Sequence, residues 1–159
     1  ISYRLVGSEM CIRDRFGIAS VGASKRQLLR LKEIVNDLDD ESLTDKVSQL
    51  EIDVMALEFT ELRLLSELEG GGNPGAESSI LKIKGTEIHQ RLTQLFVEAA
   101  GEFAVPYGGP EGFMSNVKPN GPEYTNEVLS KYLNMRKVTI YGGSNEIQKN
   151  IISKYVLGV

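Results

Sequence analysis

Hydrophobic residues recur at the spacing of an α-helix through most of this chain. The first apolar stripe consists of Leu28, Leu31, Val35 and Leu38. Steps of three or four positions place these side chains on one face of a helix, which we expect to begin at residue 16. Cap-type residues at positions 36–42 end the stripe, and Ser42 with Asp45 predicts a capping box for the next helix.

A second, longer stripe follows, and glycine residues end it. Its members are Val47, Leu50, Val54, Leu57, Leu64 and Leu68. The segment GGGNPG at residues 70–75 predicts a stop. Beside the stripe lies an outer row of Met55, Phe59, Leu62 and Leu65. Such a wide apolar face is typical of burial against a second layer or another subunit, and also of an ordinary core helix.

The remaining chain predicts three further helices around one long loop. The third helix covers residues 76–100 and stops at Gly101, and its apolar face includes Ile80, Ile88, Leu92, Leu95 and Ala99. The loop covers residues 102–122. A short helix at residues 125–135 precedes an extended segment at residues 138–141. The last helix is expected to be capped by Ser144, to present Ile147, Ile151 and Tyr155 on its inner face, and to end at Gly158. The predicted fold class is therefore all-α, an antiparallel four-helix-type bundle.

Composition excludes several classes of function. The 159 residues contain 18 Lys and Arg against 22 Asp and Glu, a net charge of −4, which argues against nucleic acid or an anionic membrane as the main partner. One Cys and one His allow neither an internal disulfide nor a His-based metal site, so no metal is predicted. No run of about 18 apolar residues is present, so no membrane span is predicted.

The first fifteen residues, ISYRLVGSEMCIRDR, fit neither a helix, a strand nor a signal peptide. The run LVGSEMCIRDR back-translates to a transposase-type sequencing adapter read in frame. We therefore interpret residues 1–15 as an artefact outside the fold, and residues 16–159 as one helical domain. The alternative is a natural disordered arm.

Only TIYGGSNEIQ at residues 139–148 has the pattern of a ligand site. A strand-like approach, two glycines and a capped helix start suit a phosphate or a flavin-type anion, because the first helical amides are unpaired donors. The alternative is a plain helix start. His89, Lys82 and Lys84 are expected on solvated faces, and no catalytic role is predicted for the acidic row of Glu58, Glu61 and Glu67.

Three segments carry a resemblance to a known family. MRKVTIYGGSNEIQKNIISKYVLG at residues 135–158 resembles the C-terminal signature of the acyl-CoA dehydrogenases, and residues 74–101 and 16–34 resemble two preceding helices of the same domain. The resemblance implies the last of three domains, placed at the centre of a tetramer. It also implies FAD as cofactor, an acyl-CoA substrate, an electron-transfer flavoprotein as acceptor, oxidation of the Cα–Cβ bond to a trans-2-enoyl-CoA, and a bacterial-type cytoplasmic location.

The same resemblance assigns roles to individual residues. Many family members carry a Glu base in the turn as IYEGT, where this chain has Gly142. Some relatives place the base before the first helix of the domain, at a position matching Asp14 within the presumed adapter, so the catalytic residue stays unknown. The matching FAD contacts are Ser144, Asn145, Glu146 and, at a degenerate QxxGG-type segment, Gly101. Gly142 and Gly143 match substrate contacts, the Gly142 amide facing the thioester carbonyl.

Two departures from the family leave other functions open. Gly142 lacks a carboxylate, and NDLDDESL stands where relatives have an RxxFG loop that serves a neighbouring subunit's FAD. One alternative is therefore a non-catalytic, dehydrogenase-like subunit of a heterotetramer. Another is a purely structural helical-bundle interaction module. Residues 16–159 alone are expected to be inactive, because one domain cannot enclose both flavin and thioester.

Overall fold

The structure is a computed structural model that describes residues 19–71, 75–105 and 121–158. Its helices are α1 (Val21–Leu38), α2 (Glu41–Glu69), α3 (Ser78–Ala100), α4 (Val128–Met135) and α5 (Asn145–Ile152). These ranges contain no strand, and the predicted all-α class is confirmed. Residues 1–18, with Asp14, lie outside the described residues, so the adapter interpretation stays a prediction.

Helix α3 is the centre of the fold, because it packs against each of the other four helices. Four ion pairs bridge the long helices: Lys25–Glu58 and Lys32–Glu51 between α1 and α2, and Lys46–Glu98 and Arg91–Asp53 between α2 and α3. Between each pair of helices, the residue numbers of the ion-pair partners rise along one helix as they fall along the other, so consecutive helices are antiparallel. Exposed pairs contribute less than about 1 kcal/mol each, so the shared apolar core stabilises this arrangement.

The predicted stripes form that core except near helix ends, where Leu38, Leu68 and Ile80 lie outside it. Its buried members include Leu28, Leu31, Val35, Val47, Leu50, Val54, Leu57, Leu64, Ile88, Leu92 and Leu95. Leu38 is 45% exposed because α1 ends there, before Asp39 turns into the left-handed region at φ 52°. Periodicity therefore identified the inward faces of the three long helices, and missed only near helix ends.

The start of α2 corrects one prediction. The cap is Asp40, whose side chain accepts a hydrogen bond from the Leu43 amide at 2.9 Å. Ser42 is already inside the helix, so the predicted capping box of Ser42 and Asp45 is wrong. The C-terminal stop of α3 is confirmed, since Gly101 takes a left-handed φ of 54° that favours glycine.

The segment before the last helix forms a 3₁₀ helix followed by a turn rather than an extended strand, so the prediction for residues 138–141 is wrong. Arg136–Thr139 forms a 3₁₀ turn. The Gln90 side chain donates to the carbonyls of Met135 and Arg136, both at 3.2 Å, and the Arg136 guanidinium donates to the Gln90 carbonyl at 3.0 Å. These contacts with α3 override the extended preference of the β-branched residues. Residues 106–120 of the long loop lie outside the described residues.

The outer row of α2 is exposed: Met55 50%, Phe59 67%, Leu62 53% and Leu65 40%. In α5 the predicted inner face is wrong, because Ile147 is 49% exposed while Asn145 and Gln148 are buried. Tyr155, in the π-helical turn Ser153–Leu157 that follows, is 69% exposed. The described residues thus leave two apolar helix faces open. None of the described helices is both long and apolar enough to cross a membrane.

Candidate functional site

A tight turn joins the 3₁₀ turn to α5 and forms the candidate site. Gly142 and Gly143 both have positive φ, 68° and 86°, a region that L side chains rarely adopt. A Cβ on Gly143 would also lie 2.6 Å from the Gln148 Nε2. Both glycines are therefore required by this backbone path, and they leave the turn without side chains that could shield it.

The turn presents unpaired backbone donors. Ser144 caps α5, and its Oγ accepts a hydrogen bond from the Ile147 amide at 3.5 Å. Gly142 and Gly143 are exposed, and neither amide donates to another residue in the described part of the chain. Free amides beside a helix N-terminus carry partial positive charge, so this surface suits an anion or a polarised carbonyl oxygen.

Beneath the turn lies a fully buried lysine. Lys82 is 0% exposed, and its Nζ donates to Asn145 Oδ1 at 2.8 Å and to the Thr139 carbonyl at 3.0 Å. The Thr86 hydroxyl lies 3.4 Å from the same Asn145 oxygen. The expectation of a solvated Lys82 is therefore wrong. Lys84, as expected, is exposed, and it pairs with Glu87 at 3.0 Å.

Burial and a nearby carboxylate act in opposite directions on this lysine. Desolvation lowers the pKa of Lys82, and the charge of Glu146 partly opposes that shift. The pKa of Glu146 is lowered, mainly by a hydrogen bond from its own backbone amide and then by Ser144. Glu146 is exposed, so its ionised carboxylate is accessible at the start of α5.

Gln148 is a site residue that the sequence did not single out. It is buried, and its Nε2 donates to the Gly142 carbonyl at 3.3 Å. Its Oε1 has no hydrogen-bond partner among the described residues. The only signal in the sequence is a polar residue one turn before the apolar flank of Ile152 and Val156.

The structure separates the predicted FAD contacts into three groups. Ser144 and Glu146 lie at the accessible start of α5, whereas the buried Asn145 side chain points inward to Lys82. Gly101 ends α3 nineteen residues after Lys82, which at about 1.5 Å per residue places it about 28 Å along the helix from Lys82, the residue that contacts both ends of the turn. The glycine turn with its free amides fits one end of an anionic cofactor, and Gly101 is too distant to contact the same end.

Gly142 stands at the turn position where the resemblance expects a carboxylate base, and it has no side chain. The acidic row lies instead on α2, where Glu58 pairs with Lys25 at 2.7 Å. Burial, followed by the charge of Glu58, raises the pKa of Glu61. Among the residues that the structure describes, no group of three or more His, Cys, Asp or Glu could hold a metal ion.

His89 corrects another expectation, because it is half-buried and lines a cleft of about 520 Å³ between α1, α3 and α4. Desolvation lowers the pKa of His89 below 6.5, and a hydrogen bond to the Ala19 backbone opposes this shift. The charged groups that line the cleft with it are Arg30, Glu123, Glu127 and Lys131.

The His89 shift predicts an acid-sensitive stability. Between the lowered pKa and 6.5 the unfolded chain binds more protons than the folded chain, so stability is full above this window and is lost as the pH falls through it. We expect the free energy of unfolding, measured in urea, to fall from pH 7.5 to 5.5. His89→Gln should reduce that fall, because His89 is the only histidine. An equal fall in both proteins would contradict the assignment.

A family model, a curated protein and solved structures that match this chain all belong to the acyl-CoA dehydrogenases. The family model described as "Acyl-CoA dehydrogenase, C-terminal domain" matches residues 32–157. Acyl-CoA dehydrogenase FadE34 of Mycobacterium tuberculosis is 24% identical over 147 residues, which cover 92% of this chain and 18% of that protein.

Two solved structures show the same fold. "Tcur3481-Tcur3483 steroid ACAD" aligns with TM-score 0.74 at 18% identity, covering 96% of this chain and 38% of that one. The ChsE4-ChsE5 complex from Mycobacterium tuberculosis aligns with TM-score 0.68 at 21% identity, covering 89% and 36%. The chain thus spans less than a fifth of the curated relative and less than two fifths of the structural ones.

Proposed function

This chain belongs to the acyl-CoA dehydrogenase family, and we propose that it is the C-terminal domain of a flavoenzyme. The proposed reaction oxidises the Cα–Cβ bond of an acyl-CoA thioester to the trans-2-enoyl-CoA. The observation that carries the proposal is the turn at Gly142 and Gly143, whose exposed amides precede the Ser144-capped start of α5.

Each accessible group of the turn has a proposed task. The Gly142 amide donates to the thioester carbonyl and stabilises the enolate-like charge that develops as the α proton leaves. Gly143 lets the substrate approach the backbone closely. Ser144, Glu146 and the backbone of Asn145 contact FAD, the cofactor that this family uses. FAD, when bound, supplies the hydride acceptor.

The base that removes the α proton is proposed to lie outside this turn, since Gly142 offers no carboxylate. The family's alternative position matches Asp14, which stands within the presumed adapter and is not proposed as the base itself. Sequencing the source gene from intact genomic DNA tests this point. A Glu codon immediately before the equivalent of Arg15 supports a complete active site, and its absence leaves the subunit without a base.

The open apolar faces support an assembly. The outer row of α2 and the face of α5 at Ile147 would be covered if C-terminal domains pack together at the centre of a tetramer. The distance of Gly101 from the turn supports its serving the FAD of a neighbouring subunit. We propose a cytoplasmic tetramer that passes electrons to an electron-transfer flavoprotein. Two structural relatives are named as pairs of different chains, which supports a hetero-assembly.

The proposal predicts a clear difference between the domain and the whole protein. The full-length chain, expressed from the source gene, should bind FAD and reduce an artificial electron acceptor with acyl-CoA. Residues 16–159 alone should show no acyl-CoA oxidation, because the described residues provide only one side of the site. Substrate-dependent dye reduction measures the oxidation of acyl-CoA, and the flavin content of the purified protein measures FAD binding. Oxidation of acyl-CoA by residues 16–159 alone would show that this domain contains a complete active site and would contradict the prediction.

The non-catalytic subunit remains the second candidate because Gly142 removes the turn carboxylate. It predicts a full-length chain that is inactive alone and gains activity only when co-expressed with a dehydrogenase partner. A full-length chain that binds no FAD and joins no flavoprotein would instead indicate the purely structural module, which the family match does not favour.

A further inference from the structure

A single ammonium group ties together the two ends of the glycine turn. Thr139 precedes the turn and Asn145 follows it, and the Nζ of Lys82 donates to the carbonyl of the first and the Oδ1 of the second, at 3.0 and 2.8 Å. Lys82 lies on α3, more than fifty residues away in sequence, so the contact fixes the turn to the central helix of the fold.

The burial of this cation calls for a physical reason. A fully buried lysine loses its hydration and side-chain freedom, and burying a charge is costly unless it is hydrogen-bonded. A methionine would fill the same space without that cost. Among the described residues, the hydrogen bonds of Lys82 go only to groups that bracket the turn, so its charge serves the conformation of the turn rather than the apolar core.

The turn needs such an external support. Its left-handed glycines gain no stability from side-chain packing of their own, and glycine has the largest backbone entropy to lose on ordering. Gln148 contributes one contact, from its Nε2 to the Gly142 carbonyl at 3.3 Å. Lys82 adds the contacts at both ends, and Thr86 lies 3.4 Å from the same Asn145 oxygen.

We propose that Lys82 is a positioning residue, which holds residues 139–145 in the conformation that presents the Gly142 amide and the start of α5 to the ligand. The inference rests on the proposed function for the identity of that ligand. Lys82 itself is buried beneath the turn and touches no ligand. It acts through Asn145 and the Thr139 carbonyl.

The first test is local and needs no cofactor. Hydrogen exchange, followed by mass spectrometry on this chain, compares Lys82→Met with the control Lys84→Met, which makes the same change at an exposed position two residues away. We expect exchange in a peptide covering residues 139–152 to be about tenfold faster in Lys82→Met, with peptides from α1 and α2 unchanged. Lys84→Met should match the wild type throughout.

Asn145→Leu provides the partner variant. If Lys82 acts through Asn145, the double variant Lys82→Met/Asn145→Leu should exchange no faster at residues 139–152 than Lys82→Met alone. Lys82→Met leaves the buried Asn145 Oδ1 without its hydrogen bond from lysine, and the double variant removes that oxygen. The double variant can therefore be measured even if Lys82→Met folds poorly. Far-UV circular dichroism confirms that each variant is folded.

The second readout uses the full-length protein. Lys82→Met should retain several-fold less FAD after desalting than Lys84→Met at equal helix content, and the visible absorption band of any bound flavin should shift. Unchanged exchange at residues 139–152, or an equal rise in every peptide, would overturn the positioning role. A wild-type full-length protein without FAD would refute the proposed function, while the exchange result would still decide the role of Lys82.

Discussion

Replacing Leu31 by alanine is expected to lower the free energy of unfolding by about 3–5 kcal/mol. Leu31 is 0% exposed and belongs to the main cluster between α1, α2 and α3. Truncation removes apolar contacts and leaves a cavity that the rigid helices around it can fill only in part. Urea unfolding followed by circular dichroism measures the loss, which on this scale is a large share of the stability of a single domain.

Leu29→Ala is the matched control, the same substitution two residues away in the same helix. Leu29 is 62% exposed, so its truncation should change the free energy of unfolding by less than about 0.5 kcal/mol. Similar losses for the two variants would mean that α1 does not pack with Leu31 inward, and the arrangement of the three long helices would be wrong.

Gly85→Ala is expected to destabilise the chain by about 2 kcal/mol, although alanine is the better helix former. A Cβ on Gly85 would lie 2.5 Å from the Ala19 Cα and 3.2 Å from its carbonyl oxygen. These are backbone atoms two residues before α1, so the chain at the start of that helix would have to move away from α3 to admit the methyl group. The same unfolding measurement tests this prediction.

Gly22→Ala is the control for Gly85→Ala, and its expected effect on the free energy of unfolding has the opposite sign. Gly22 lies in the first turn of α1, and its Cβ would meet only the far end of the Arg26 side chain at 3.7 Å. Gly22→Ala should be neutral or should stabilise by up to about 1 kcal/mol. If both variants stabilise, the close approach of Ala19 to α3 is absent in solution.

Gly85 is also a signal in the sequence that points to close packing. A glycine inside a long helical pattern weakens the helix, so its presence indicates a packing or functional reason. That reason is the approach of Ala19, sixty-six positions earlier, which no local pattern could identify. The expectation of a solvated His89 failed for the same reason, because three separate helices build the cleft that desolvates it.

The positions of the helices and of the glycine turn follow from local sequence, because both depend on interactions between near neighbours. Apolar spacing located α1, α2 and α3, and Gly101 and Ser144 marked a helix end and a helix start that the structure confirms. Which polar residues lie inside the fold depends on contacts between distant parts of the chain. Lys82 and Asn145 meet across sixty-three positions, and a lysine in an isolated helix is most stable in water. Its burial becomes favourable only when the fold brings two oxygen acceptors to its ammonium group, and the pattern of α3 alone does not encode that encounter.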